Sequence, residues 1–268
     1  MSKRRPAVAG SFYPGSEGEI AAMLATLVDE GTPREKAIGA MSPHAGWIYS
    51  GRSAGLLFSR IEIPPTVVVL GPNHRGAGAD VAIMAEGSWE LPGGEVRLDT
   101  ELARRILDRC GFMEDDPRAH AGEHSLEVQL PFLRRFRPDF RLVPIALGRV
   151  SFEQCEELGA ALADAVADFG GETLVVASSD MTHFESAEAA KKKDQLALDR
   201  LLALDPAGLY RTVTKNRITM CGFIPATVML VYARARGASS AKLLDYRNSG
   251  DVTGDRREVV AYAAVTVK

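Results

Sequence analysis

The chain has 268 residues, 46% of them hydrophobic and 25% charged, with a formal net charge of −3. That mixture can bury a core, and the slightly acidic balance excludes nucleic acid as the main partner, because binding it needs a concentrated basic field. No stretch supplies the ~18 apolar residues of a membrane helix, no apolar run follows the basic opening MSKRRPAVAG, and three cysteines are too sparse and odd a set for a disulfide framework. A soluble, cytoplasmic protein without a membrane partner is expected. No linker, charge block or repeat marks a boundary, so residues 1–268 read as a single domain.

In chain order, Ala9-Gly10-Ser11-Phe12-Tyr13-Pro14 is extended and turn-rich, and Ser16 with Glu19 forms a capping-box pattern opening a helix to about Glu30. Residues 37–41 read as a short buried strand, and 51–61 as a helix whose small residues let it lie close on the sheet. Residues 66–70, five β-branched or apolar positions in a row, read as a strand covered on both faces and stopped by Gly71-Pro72. A strand at 80–86, a hairpin at 89–96 around Pro92-Gly93-Gly94 and a helix at 99–109 follow. Residues 119–136 carry a polar cluster, His120, Glu123, His124 and Glu127, ahead of an apolar face. If a helix begins near Glu123, Glu123 and Glu127 share one face beside His124, either aimed at a pocket or forming a surface charge cluster. A strand at 141–147, a helix at 151–169, a strand at 173–179 and helices at 185–204, 206–214 and 226–236 come next. Strands at 241–245 and 259–267, separated by a polar loop at 246–251, close the chain.

Three of these strands run into polar turns that carry histidine: His44 after 37–41, His74 after 66–70, and Asp180 with His183 after 173–179. In one sheet with one polarity they converge on the edge where open α/β sheets bind ligands. Cys221 sits at or just before the start of a helix, where a thiolate is favoured, whereas Cys110 and Cys155 lie in apolar patterns and read as inert. Two or three imidazoles with one anionic donor suit a borderline divalent metal, with iron, zinc and copper all open, and a cysteine nucleophile with a histidine base is the competing chemistry. No nucleotide-binding pattern is present. Asp180 and His183, three residues apart, read as a pocket pair in which the carboxylate fixes the imidazole's tautomer and the imidazole moves a proton.

The order AGSFYP, PHAGWIYSG, LGPNHRG, EHSLEVQLPFL, SSDMTHFE and MCGFIP, continued by YRNSGD and VVAYAAVTV, resembles the Memo family over nearly the whole chain. That family includes relatives called AmmeMemoRadiSam system protein B. The resemblance implies an α/β fold in three layers, with a central mostly parallel or mixed sheet flanked by helices, like that of class III extradiol (LigB-type) dioxygenases. It also implies His44, His74 and Cys221 as metal ligands and Asp180 and His183 as pocket residues. Cysteine replaces the glutamate of the extradiol iron site, which softens the ligand set, so ring cleavage does not simply carry over. Two functions are implied. One is a non-haem iron or copper redox protein acting on a small molecule. The other is a non-catalytic metal-binding or phosphopeptide-interaction module that works beside radical SAM and AMMECR1-type proteins.

Overall fold

The computed structural model describes residues 2–268. Its strands are β1 (Lys3–Arg4), β2 (Gly39–Ser42), β3 (Thr66–Pro72), β4 (Val81–Ile83), β5 (Ser88–Leu91), β6 (Gly94–Arg97), β7 (Glu114–Asp115), β8 (Arg141–Leu147), β9 (Thr173–Ser178), β10 (His183–Glu185), β11 (Ala241–Asn248) and β12 (Val259–Val267). At the centre β2, β9, β3 and β8 lie side by side and parallel. β12 flanks β2 antiparallel and carries β11 and β10, while β4 and β7 extend the other flank. β1, β5 and β6 form a separate three-stranded sheet.

The layers follow from the two-residue period of a strand. On β3, Val68 and Leu70 join Val143, Ile145, Val175 and Ala177 in one apolar cluster, roofed by the helices Phe152–Phe169 and Phe223–Ala235. Val67 and Val69 join Leu142, Leu174 and Val176 in the other, against the helices Glu17–Leu27, Trp47–Arg60 and Leu130–Phe136. A mixed sheet covered by helices on both faces is the expected α/β arrangement. The three strands expected to lie together are neighbours, with Val68 opposite Val175 and Gly39 opposite that same Val175.

Some local expectations give way. β3 continues through Gly71 and Pro72, which pair with Ala146 and Leu147. Pairing with β9 ends at Leu70, and Asn73 N–H already bonds Leu147 O at 2.8 Å, so the proline's missing donor falls on the side with no neighbour. β2 starts at Gly39, two residues later than expected (39 − 37 = 2). The polar loop expected at 246–251 is half strand, because Tyr246, Arg247 and Asn248 pair with β12, and a short helix begins at Gly250. The helix Trp47–Arg60 lies on the sheet as expected, Ser53 Oγ donating to Asp245 of β11 at 2.6 Å, and its glycines also admit a second helix: a Cβ on Gly55 would run into the backbone of Leu27.

Candidate metal centre

Because β2, β3 and β9 run parallel, the turns that follow them meet at one edge. His44, His74, Asp180 and His183 all line a cavity of about 740 Å³ there, together with His124, Phe12, Tyr49 and Tyr262. A larger cleft of about 1010 Å³ lies at the opposite end of the strands, around Ile38, Thr173 and Lys268, and its lining includes no histidine or cysteine. The cavity at the carboxyl ends therefore holds the chemistry. Ligand atoms of two of its histidines, His44 and His74, and of Cys221 lie within 4.8 Å of one another, and Cys221 Sγ is 3.2 Å from His44 Nε2. Donors bonded to one ion at ~2.0–2.3 Å lie no more than about 4.6 Å apart, so small side-chain shifts suffice for the three to share a metal.

Their neighbours dictate which nitrogen is free. His44, only 2% exposed, places Nδ1 3.0 Å from Ser178 Oγ. That hydroxyl spends its one proton on Ser125 O at 2.7 Å, so it accepts from His44 Nδ1–H and leaves Nε2 with its lone pair. His74 Nδ1 lies 2.9 Å from the fully buried Glu123, a carboxylate that accepts. His183 Nδ1 lies 2.9 Å from Thr219 O, again an acceptor. All three imidazoles thus carry the proton on Nδ1 and turn a bare Nε2 away from these anchors.

Glu123 and Glu127 part company. Residues 122–126 form no helix, so the expected shared face does not exist; only a 3-10 turn at Glu127–Gln129 precedes the helix Leu130–Phe136. Glu123 turns to the cavity and accepts from His74 N at 2.7 Å and Ser125 N at 2.9 Å besides the imidazole. Burial raises its carboxyl, but the hydrogen bond and charge of His74 outweigh this and hold it down at about 2. Glu127 turns away to pair with Arg4 at 2.6 Å and to accept from Tyr13 Oη at 2.8 Å, which anchors the amino terminus. His124 stacks on His74, centroids 4.7 Å apart, and Phe12 leans on it at 4.5 Å, so AGSFYP supplies a wall of the cavity.

Asp180 does not orient His183. Its Oδ1 accepts from His44 N at 2.7 Å and Ala45 N at 3.2 Å, pinning the PHAG turn, and Thr219 holds His183 instead. The physical reason is reach: the chain leaves β9 with Asp180 buried against β2's turn, while Thr182 and His183 move on to pair with β12. Burial pushes the Asp180 carboxyl up to about 6. Cys221 precedes the Gly222 cap of the helix Phe223–Ala235, yet burial pushes its thiol well above the usual value, so the helix terminus alone does not make it a thiolate. Burial likewise holds the His44 imidazole well below its usual range, with neighbouring imidazoles adding to this. Ser178 and Gln129 lie within the motifs SSDMTHFE and EHSLEVQLPFL, but nothing in the sequence marked them, or Thr219, as supports of the histidines; Gln129 Nε2 donates to Ser178 Oγ at 2.9 Å and completes its coordination.

A sequence profile described as Memo-like protein matches residues 4–266. The chain belongs to the Memo family. It is 39% identical over 280 residues to a MEMO1 family protein of Methanopyrus kandleri, covering 99% of each chain. It is 42% identical over 264 residues to a MEMO1 family protein of Aquifex aeolicus, covering 98% of each. Among solved structures, an uncharacterized protein from Escherichia coli K12 shares the fold with a TM-score of 0.60 at 14% identity, over 86% of this chain and 100% of that one. In this Memo-family chain no helix among the described residues is long and apolar enough to cross a membrane. Cys110 and Cys155 are buried away from the cavity, in keeping with inert thiols.

Proposed function

We propose that this Memo-family chain holds one divalent metal through His44, His74 and Cys221 and acts as a non-haem iron redox protein on a small molecule admitted to the cavity. Copper and zinc are the other metals that an imidazole and thiolate set accepts. The observation that carries the reading is the trio of donors converging within 4.8 Å, with both imidazoles locked to present Nε2. Bound there, the metal supplies a Lewis acid, and with iron or copper a redox centre, that leaves coordination positions open for a ligand. The chain's own residues set the rest. Glu123 fixes His74, Ser178 and Gln129 fix His44, and Asp180 pins the turn that carries His44. His183, held by Thr219, offers its bare Nε2 to take a proton from a ligand and return it.

The test is elemental analysis of protein purified without oxygen, followed by oxygen-consumption assays with catechols and thiols. Close to one metal per chain in wild type, and loss in His44→Ala, His74→Ala and Cys221→Ser after dialysis, is expected. Full metal retention in all three variants sinks the ligand set. Metal without consumption of oxygen favours a non-catalytic metal-binding module.

A further inference from the structure

One buried acid behind the cavity has no part in the site as described. Asp194 is fully buried on the helix Ala187–Leu202 and forms no ion pair among the described residues. Its hydrogen-bond donors are all neutral: Oδ1 accepts from Thr182 N at 3.0 Å and Thr182 Oγ1 at 2.7 Å, and Oδ2 from Tyr246 Oη at 2.7 Å. A carboxylate buried without a cation is costly, and burial raises its carboxyl above the usual range. Well-packed apolar side chains often serve such a position at no loss of stability, so the explanation lies in what Asp194 holds.

It holds the residue before His183. Past β9 the chain is tied to β12 on one side, Met181 N donating to Ala261 O at 2.8 Å and Ala261 N to Thr182 O at 2.9 Å. Asp194 takes the N–H and the hydroxyl, so Thr182 is gripped through every polar group it has. Beyond it the restraint falls off. His183 and Glu185 pair with Val260 and Val259 across a shifted register, and Phe184 between them has a φ of +58°. Thr219 bonds the His183 imidazole at 2.9 Å and its N–H at 2.7 Å, yet residues 218–220 belong to neither helix nor strand. Thr219 therefore selects the tautomer only if His183 is delivered to it. We propose that Asp194 is a positioning residue for His183: by fixing Thr182 it sets the point from which the imidazole reaches Thr219 O, which keeps the proton on Nδ1 and Nε2 bare. This deepens the reading of His183 as the group that takes a proton, and rests on that reading for its function alone.

The test follows the ring itself. The full chain with 15N-labelled histidine is loaded with zinc, which leaves NMR lines sharp, and metal is counted on the same samples; His183→Ala assigns the signal. Wild type shows His183 as the Nδ1–H tautomer. Asp194→Ala and the near-isosteric Thr182→Val shift it towards the Nε2–H form that free imidazole favours, and speed exchange of the ring proton by about tenfold, the loss of one ordinary hydrogen bond. Asp194→Asn keeps the wild-type tautomer, because its Oδ1 still accepts from Thr182 and its amide donates to Tyr246 Oη. Urea unfolding is measured on every variant, since an acid that only stabilises the fold lowers the midpoint in Asp194→Ala and leaves the His183 signal alone. An unchanged signal in both Asp194→Ala and Thr182→Val overturns the proposal. So does loss of the tautomer in Asp194→Asn, which would assign the effect to charge rather than position. If both variants lose the tautomer while His183→Ala leaves oxygen consumption and ligand binding as in wild type, the proton role of His183 fails and the positioning role stands.

Discussion

The buried carboxylate behind His74 gives the sharpest prediction. Glu123 is fully buried and accepts from His74 Nδ1 at 2.9 Å, His74 N at 2.7 Å and Ser125 N at 2.9 Å. Glu123→Ala strands these donors, and because each buried unpaired group costs about 1–3 kcal/mol, the loss is about 3–6 kcal/mol after partial hydration of the half-exposed His74. Glu123→Gln keeps the volume but replaces one acceptor oxygen by an NH2 that faces a donor, at a cost of about 1–3 kcal/mol. Its effect on the metal is the more telling. Without the carboxylate, His74 loses the anchor that selects its tautomer and orients its ring, which costs about 10- to 100-fold in metal affinity. Chelator competition on Glu123→Gln measures the affinity, and urea unfolding measures the stability. A Glu123→Gln protein that binds metal within about threefold of wild type refutes the argument, because a carboxylate that matters to His74 acts at ~10-fold or more.

Other outcomes follow from the same contacts. His183→Ala should keep metal near the wild-type content while impairing ligand binding or turnover, because Thr219 holds His183 outside the proposed ligand trio; metal loss matching His44→Ala would make it a ligand. Gly222→Ala should lower metal content more than global stability, since the new Cβ would lie 2.5 Å from Ser179 Cβ and closer still to Ser178 O, displacing the adjacent Cys221; unchanged metal stoichiometry counts against that coupling. Arg4→Ala should cost about 3–5 kcal/mol in urea unfolding, because it leaves the buried Glu127 charge without its partner; a loss under about 1 kcal/mol, the range of a surface pair, would contradict it.

Local chemistry was enough for much of this protein. Val67, Val68, Val69 and Leu70 mark a strand buried on both faces whatever surrounds it, because no other element hides such a run so cheaply. Strands of that kind set in parallel send their following turns to one edge, so His44, His74 and His183 were legible as a group, and Cys221 as a candidate beside a helix start. Ser16 also caps its helix as expected, its side chain accepting from Glu19 N. What the sequence could not decide was the partner of each carboxylate. Glu123 and Glu127 look alike and sit four apart, yet one meets an imidazole 49 positions away and the other a guanidinium 123 away. Asp180, three residues from His183, spends its lone pairs on a turn 136 positions upstream. A buried carboxylate takes the donors that the crossing of distant segments places within about 3 Å, and that crossing exists only once the sheet has formed.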